Sequence, residues 1–289
     1  MADNFIVYER DGQIARITLN RPEKLNTWDF PTQGGITDQF YTALAKAEDD
    51  DDVKVIIIRG SGRAFSAGHD LSTVGFVYGI GTGKAGERRA SQRIRLKVDR
   101  RWLENHQKLM LCQKVTIAQV HGICIGEGAV MAEMCDIAIA ADDAQIAHSE
   151  QRLGFSGSGM NLVPLYLAVG IKRARELLLT GRFITGKQAA EIGLVARSVP
   201  GDTLEEEVDK TAKAVCLLPR DGISIGKMST HMIYDILGMT QGLTQGYISH
   251  TMFTNLRWED DEYNFFKERR NQGLKTGFHG RDDRYKGLV

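Results

Sequence analysis

Residues 121–159 read HGICIGEGAVMAEMCDIAIAADDAQIAHSEQRLGFSGSG, and this stretch decides the fold. It holds a glycine turn at Gly126-Glu127-Gly128, then a helix-like run, then the apolar segment 135–141, which is typical of a short buried strand. A strand that follows such a helix carries Glu150 back toward the glycine turn. We therefore expect Glu150 to lie close to backbone N–H groups at a helix N-terminus, which could hold an oxygen with developing negative charge.

A second glycine-bearing turn leaves the buried strand that we predict at 53–60. It spans residues 61–71 (SGRAFSAGHDL), and it is the other place where backbone N–H groups could face a ligand. Two such turns are what an oxyanion hole with two donors requires.

Strand and helix patterns alternate through the first two hundred residues. Residues 5–19 predict a hairpin around Asp11-Gly12. Helices are predicted at about 31–47, 87–111, 161–179 and 185–192, with a closing strand at 193–200. This alternation indicates an α/β fold class.

The pattern changes to helices alone beyond residue 201. Helices are predicted at 203–218, about 223–237 and 242 to about 270, followed by a polar end that we expect to be loosely ordered. We therefore divide the chain into a core, 1–200, and a helical region, 201–289. That region carries aromatic side chains that we expect to be exposed at a subunit contact. They are Phe253, Trp258, Tyr263, Phe265 and Phe266.

The composition excludes several classes of function. The 37 basic residues balance the 37 acidic ones, so no overall field favours nucleic acid or an anionic membrane surface. The four cysteines have no CxxC or Cys/His spacing, which favours reduced thiols and suggests no metal site. No signal peptide or bilayer-length apolar run is evident. We expect a cytoplasmic protein.

Short motifs in a fixed order give the chain a resemblance to the enoyl-CoA hydratase/isomerase family, the crotonases, over roughly residues 7–270. The motifs are LNRPEKLN at 19–26, AFSAGHDL at 64–71, HGICIGEG at 121–128, MCDI at 134–137, the segment 144–154, LTG at 179–181 and the segment 189–195. The resemblance implies a crotonase-like spiral of ββα repeats. It also implies a helical C-terminal region that builds homotrimers, often paired into hexamers, and an acyl-CoA ligand.

Carried over residue by residue, the resemblance implies which groups act. The thioester oxygen is held by the backbone N–H groups of His69 and Glu127. Hydratases of the family use two glutamates, one to activate water and one to exchange the α-proton. The second falls on Glu150, which we expect to be the catalytic acid/base, but the first falls on Val130, which can carry no proton.

Three residues could replace the missing glutamate. Tyr247 lies in the region from which feruloyl-CoA hydratase/lyase-like members recruit a tyrosine. His148 is expected on the same strand as Glu150, two residues earlier and therefore on the same face. The side chain of Glu127 is expected to point away from the pocket if its N–H points in.

The family pattern also implies the substrate contacts. CoA should meet the loop 21–25, the backbone of 69–71 and residues near 266–270, with Lys24 and Arg269 as phosphate partners. The predicted substrate and CoA contacts are Lys24, Leu25, Ala67, Asp70, Leu71, Gly126, Phe155 and Phe266, with Met160 as a further pocket residue. The segment 72–111 is longer than is usual, which suggests a bulky acyl group. CoA enters as part of the substrate, and no separate cofactor is implied.

These residues leave three functions open. The first is hydration or isomerisation of an enoyl-CoA thioester through a stabilised enolate. The second is crotonase-type C–C bond cleavage, by a hydrolase or lyase, of a β-dicarbonyl compound or CoA ester, since histidines and carboxylates serve that chemistry in relatives. The third is an acyl-CoA-binding protein with impaired catalysis.

Overall fold

The computed structural model describes residues 4–30, 34–80, 89–154 and 162–289. The strands are β1 Ile6–Asp11, β2 Ile14–Leu19, β3 Val55–Gly60, β4 Ala64–Ser66, β5 Val115–Val120, β6 Ile123–Ile125, β7 Ile137–Ala141, β8 Gln145–Ala147, β9 Ile184–Thr185 and β10 Arg197–Val199. The α-helices are α1 Ile36–Asp49, α2 Gln92–Met110, α3 Glu127–Met134, α4 Leu162–Val169, α5 Ile171–Thr180, α6 Gly186–Glu191, α7 Leu204–Cys216, α8 Arg220–Ile236, α9 Met239–Phe253, α10 Phe265–Gln272 and α11 Leu274–Asp283. Short 3₁₀ helices lie at Pro22–Lys24, Phe76–Tyr78, Glu150–Leu153 and Gly201–Thr203.

The larger sheet has six strands in the order β1-β2-β3-β5-β7-β10. The hairpin of β1 and β2 is antiparallel around Gly12, whose φ of +56° suits a tight turn, and the other neighbouring pairs are parallel. Ile56, Ile57 and Ile58 in β3 are all fully buried. A run of apolar side chains on both faces is expected for a central parallel strand covered on both sides.

The smaller sheet, in the order β4-β6-β8-β9, positions the candidate site. Strands β4, β6 and β8 are parallel, so the turns that follow them meet at one edge. In each of three successive strand pairs, the first strand belongs to the larger sheet and the second to the smaller sheet, and a helix follows the pair. These pairs are β3 with β4, β5 with β6 and β7 with β8. The predicted α/β class and its ββα repeats are confirmed.

Two predicted helices are interrupted. The segment predicted as one helix at 161–179 is two helices, α4 and α5, separated by Gly170 with φ of +79°. The segment predicted at 242–270 is α9 and α10, because Asn264 caps a new helix by accepting a hydrogen bond from the Lys267 backbone. Conversely, the end of the chain is helical: α11 packs against α10, and the Tyr263 hydroxyl donates to the Gly277 carbonyl at 2.7 Å.

The aromatic residues of the C-terminal region do not form the exposed surface that we predicted. Phe265 and Phe266 are 1% and 2% exposed, because they form a second hydrophobic cluster with Tyr78 and Leu153. Among the helices of this region, α8 carries the largest group of exposed apolar side chains. There they are Ile225, Met228, Met232, Ile233 and Ile236. Of the helices in the described ranges, none is long and apolar enough to cross a membrane. The domain boundary at 200 stays a prediction.

Candidate active site

A cavity of about 570 Å³ lies at the edge of the smaller sheet where the turns after β4, β6 and β8 meet. This volume is within the range of small-molecule sites. It brings together most of the residues that the sequence predicted for the site. These are Lys24, Leu25, Ala67, His69, Asp70, Leu71, Gly126, Glu127 and Glu150.

The two glycine turns are in contact with each other. A Cβ atom on Gly68, whose φ is +79°, would lie 2.6 Å from the Ile125 carbonyl oxygen and 3.2 Å from the Glu127 backbone nitrogen. Among the described residues, neither the His69 nor the Glu127 backbone N–H donates to a protein acceptor. The two donors are therefore free for a ligand oxygen at the cavity wall, as an oxyanion hole requires.

Glu150 stands directly against the second of these turns. The Gly126 N–H donates to the Ala147 carbonyl at 2.9 Å, which fixes the end of β8 beside the turn. A Cβ atom on Gly126 would lie 3.1 Å from Glu150 Oε1. Burial raises the pKa of the Glu150 carboxyl, and the nearby charges of Glu127 and Glu133 add to this rise while His148 opposes it. A carboxyl that holds its proton closer to neutral pH suits acid/base work.

The side chain of Glu127 lies in the cavity, contrary to our expectation. Its Oε1 is 2.7 Å from His106 Nε2, and its Oε2 is 3.8 Å from His69 Nε2. The reason is that α3 is enclosed by the protein: seven of its eight residues are buried, and the side chain of the eighth, Glu133, is only 6% exposed. A side chain at its first position must therefore find a polar partner inside the protein, and α2 supplies His106.

The His69 imidazole ring is held between aromatic side chains. It stacks on Phe30 with ring centroids 5.5 Å apart and meets the edge of Trp102 at 4.8 Å. Burial lowers the pKa of His69 more than the charge of Glu127 raises it, and His106 and His250 lower it further. A lowered pKa leaves the ring neutral at neutral pH, so one of its nitrogens can accept a proton.

The other two candidates for proton transfer do not line the cavity. Strand β8 ends at Ala147, so His148 lies in the following turn rather than on a shared strand face with Glu150. Its Nε2 is 2.7 Å from Glu133 Oε1 in a buried pair. Burial would lower the pKa of His148, but Glu133 outweighs burial and raises the pKa to about 9. Tyr247 lies on α9 and packs against the main core.

The predicted CoA contacts divide in the same way. Lys24 and Asp70 line the cavity and form an ion pair of 3.0 Å. Phe266 is buried in the second hydrophobic cluster and does not line the cavity. Arg269 donates to the Leu71 and Val74 carbonyls at 2.8 and 2.9 Å, which positions it as a structural residue rather than a phosphate partner. Phe155 and Met160 lie outside the described residues.

Comparison with known proteins decides the family. The chain matches the enoyl-CoA hydratase/isomerase family over residues 9–275. It belongs to this family.

Individual relatives agree with the assignment. A protein named probable enoyl-CoA hydratase from Mycobacterium bovis is 31% identical over 238 residues, which cover 82% of this chain and 85% of that protein. A mitochondrial Δ(3,5)-Δ(2,4)-dienoyl-CoA isomerase of Dictyostelium discoideum is 32% identical over 204 residues, covering 70% of this chain and 67% of the relative. The crystal structure of an enoyl-CoA hydratase/isomerase from Xanthobacter autotrophicus Py2 has a TM-score of 0.84 and 31% identity, covering 97% and 98% of the two chains. The chain is therefore an enzyme of the hydratase/isomerase family, and its predicted fold class is confirmed.

Sequence reasoning missed several cavity residues of this family member. Phe30, Tyr78, Trp102, His106 and His250 all line the cavity. The length of the segment 72–111, which predicted an unusual wall for the acyl group, signalled Tyr78, Trp102 and His106, whereas no sequence signal pointed to Phe30 or His250. Asp99 of α2 is fully buried and accepts hydrogen bonds from Tyr78, from Thr251 and, at 3.2 Å, from His250, which fixes this wall to α9.

Proposed function

We propose that this protein hydrates an enoyl-CoA thioester through an enolate, with Glu150 as an acid/base. One observation carries the proposal: Glu150 Oε1 adjoins Gly126, in the turn whose Glu127 N–H is free. A thioester whose oxygen accepts from His69 and Glu127 then has its α-carbon within reach of this carboxyl. Each backbone donor contributes ~3–4 kcal/mol to the stability of the enolate-like transition state.

The reaction runs in two proton-linked steps in this site. The water oxygen bonds to the β-carbon and loses one proton, which restores the proton of Glu150 at the end of the cycle. The C=C electrons move toward the thioester, so that negative charge collects on the oxygen held by His69 and Glu127. Protonated Glu150 then gives its proton to the α-carbon, and the C=O bond reforms. A raised pKa makes Glu150 a competent donor in this step.

The cavity walls support a bulky or ring-bearing acyl group. The rings of Phe30, Tyr78 and Trp102 line the cavity, and Phe30 meets the other two edge to face at 5.7 and 6.2 Å. Such a wall offers apolar and stacking contacts to a flat substituent. Lys24 and Arg281 line the cavity as well and are proposed to meet the anionic CoA portion.

The exposed apolar side chains of α8 support self-association. Ile225, Met228, Met232 and Ile236 follow one another at intervals of three or four residues and are 64–83% exposed. Such spacing forms one helix face, and apolar faces of this kind mark contact sites. We include a homotrimer, or a pair of trimers, in the proposal on this ground.

Two other reactions of the same site remain candidates. The relative named dienoyl-CoA isomerase supports double-bond migration, in which Glu150 would move a proton without adding water. The two imidazoles at Glu127 favour C–C cleavage of a β-dicarbonyl substrate as a second candidate function. The products separate the three: a 3-hydroxyacyl-CoA, an isomeric enoyl-CoA, or two fragments.

The test is a product analysis of the purified protein with a panel of straight-chain and aryl-substituted enoyl-CoA thioesters and one β-ketoacyl-CoA. Hydration removes the absorbance of the conjugated double bond and adds the mass of water. We expect Glu150→Gln to lower the rate by ~10²–10⁴-fold. The control is Glu104→Gln, an exposed residue of α2 paired with Arg100. Wild-type protein that forms no 3-hydroxyacyl-CoA from any panel member would contradict the proposal.

A further inference from the structure

The carboxylate that this chain lacks at Val130 is present one helical turn earlier. Glu127 and Val130 are three residues apart on α3, and residues at this spacing lie on the same helix face. Both line the cavity. Of the carboxyl groups that line the cavity, Glu127 and Glu150 are therefore the two next to Gly126, one following it in the chain and the other adjoining it in space.

The geometry around Glu127 leaves one of its oxygens for a ligand. Oε1 is engaged by His106 Nε2 at 2.7 Å, while Oε2 faces His69 Nε2 at 3.8 Å. A separation of 3.8 Å is too long for a direct hydrogen bond, so both atoms keep their hydrogen-bonding capacity for a third group such as a water. His69 is 29% exposed and its Nδ1 is buried, so Nε2 is the ring nitrogen that can meet such a water.

We propose that Glu127 Oε2 and His69 Nε2 together hold and deprotonate the water that adds to the enoyl-CoA. This inference rests on the proposed hydratase function and names the group that complements Glu150. The water donates one proton to this pair as its oxygen bonds to the β-carbon, and Glu150 gives one proton to the α-carbon. The proton on the pair then returns to Glu150, directly or by exchange with solvent, so that the net reaction is addition of one water.

His106 is a positioning residue in this arrangement. It lies on α2, its side chain is 3% exposed, and its Nε2 fixes one carboxylate oxygen of Glu127. Without that contact the Glu127 side chain could rotate, and Oε2 would no longer be directed at His69. Trp102, one helical turn before His106, holds the His69 ring from the side.

The experiment compares two reactions of the full-length protein. The first is hydration of crotonyl-CoA and of the best panel substrate. The second is exchange of the α-protons of butyryl-CoA with D₂O, followed by mass spectrometry, which requires Glu150 and the oxyanion donors but no nucleophilic water. We expect Glu127→Gln and His69→Asn each to lower hydration by ~10²–10⁴-fold and to change exchange by less than about fivefold. Glu150→Gln should abolish both.

The matched control is Glu133→Gln. Glu133 is on the same helix, its side chain is buried to the same extent as that of Glu127, and it is paired with His148 outside the cavity. Its replacement should change the rate of hydration and the rate of α-proton exchange by the same factor. For His106, the Gln variant can still donate at this position, so it should retain a higher hydration-to-exchange ratio than His106→Ala.

The outcomes distinguish the role of Glu127 and His69 in activating water from the proposed hydratase function on which it rests. Selective loss of hydration in Glu127→Gln and His69→Asn supports the inference. A wild type that hydrates, with Glu127→Gln unimpaired or impaired equally in both reactions, overturns the inference and leaves the hydratase function standing. A wild type that exchanges α-protons but adds no water overturns both.

Discussion

Gly68 lies so close to Glu127 that a single carbon atom added to Gly68 would come within 3.2 Å of the Glu127 backbone nitrogen. The same atom would be 2.6 Å from the Ile125 carbonyl oxygen, a separation that real Cβ atoms do not adopt. The spacing of the two proposed oxyanion donors, the N–H groups of His69 and Glu127, is thus set by a glycine. A side chain here must push the two turns apart.

We therefore expect Gly68→Ala to lower the hydration rate by ~10²–10³-fold, the usual loss for a displaced oxyanion donor. The comparison variant is Gly238→Ala. Gly238 has nearly the same φ, +80° against +79°, but a Cβ there meets nothing within 4 Å. Both variants incur about 1–2 kcal/mol of backbone strain, so both should unfold more easily. Equal activity of the two variants would show that the contact with Glu127 has no role in catalysis.

The buried carboxylate of Glu150 should destabilise the folded protein at neutral pH. Its folded-state pKa is raised, chiefly by burial, so the folded state binds a proton more tightly than the unfolded state does. The tighter proton binding contributes its full stability below pH 4.5, the pKa of the carboxyl in the unfolded state. This contribution is lost as the pH rises through the pKa of the folded state. We expect Glu150→Gln to melt at a higher temperature than wild type at pH 8, with the difference shrinking toward pH 4. A lower melting temperature for the variant at pH 8 would contradict this account.

Local patterns predicted the fold and the part of the site that the backbone builds. Short segments of sequence encode the strands, the two glycine turns and the position of Glu150. Because the strands are parallel, the two turns and Glu150 lie at the same edge of the sheet. Hydrogen bonding between backbones makes such predictions robust, because every buried N–H and C=O needs a partner.

Contacts between distant segments could not be predicted in this way. The direction of the Glu127 side chain depends on His106, which no motif links to α3. The position of His148 depends on β8 ending at Ala147, whereas the predicted strand extended to Glu150. Phe265 and Phe266 looked like surface residues because their partners, among them Tyr78 and Leu153, are more than one hundred residues away in sequence.

Lys24 is the cavity cation best placed to act on CoA affinity. It is 47% exposed and its Nζ is 3.0 Å from Asp70 Oδ2. We expect Lys24→Met to raise the KM for acyl-CoA roughly tenfold with little change in kcat, because a charged hydrogen bond to phosphate is lost in ground and transition states alike. The difference should shrink with added salt. Lys46→Met, which removes a cation above the Tyr8 ring away from the cavity, should leave KM unchanged.

The pair of His148 and Glu133 should make stability depend on pH in a separate window. The side chains of both residues are less than one-tenth exposed, and the pKa of His148 is raised from 6.5 to about 9. A raised folded-state pKa stabilises the fold fully below the unfolded value of 6.5, and this contribution disappears as pH rises to about 9. A shift of this size corresponds to about 3 kcal/mol at most.

We expect the free energy of unfolding to fall between these pH values in the wild type. The double variant Glu133→Gln/His148→Gln replaces the ion pair by two neutral amides, so its stability should be nearly constant across the same window. A single variant would be a poorer test, because it leaves one buried group unpaired. If the wild type and the double variant lose stability in parallel from pH 6.5 to 9, a different group is responsible for the dependence.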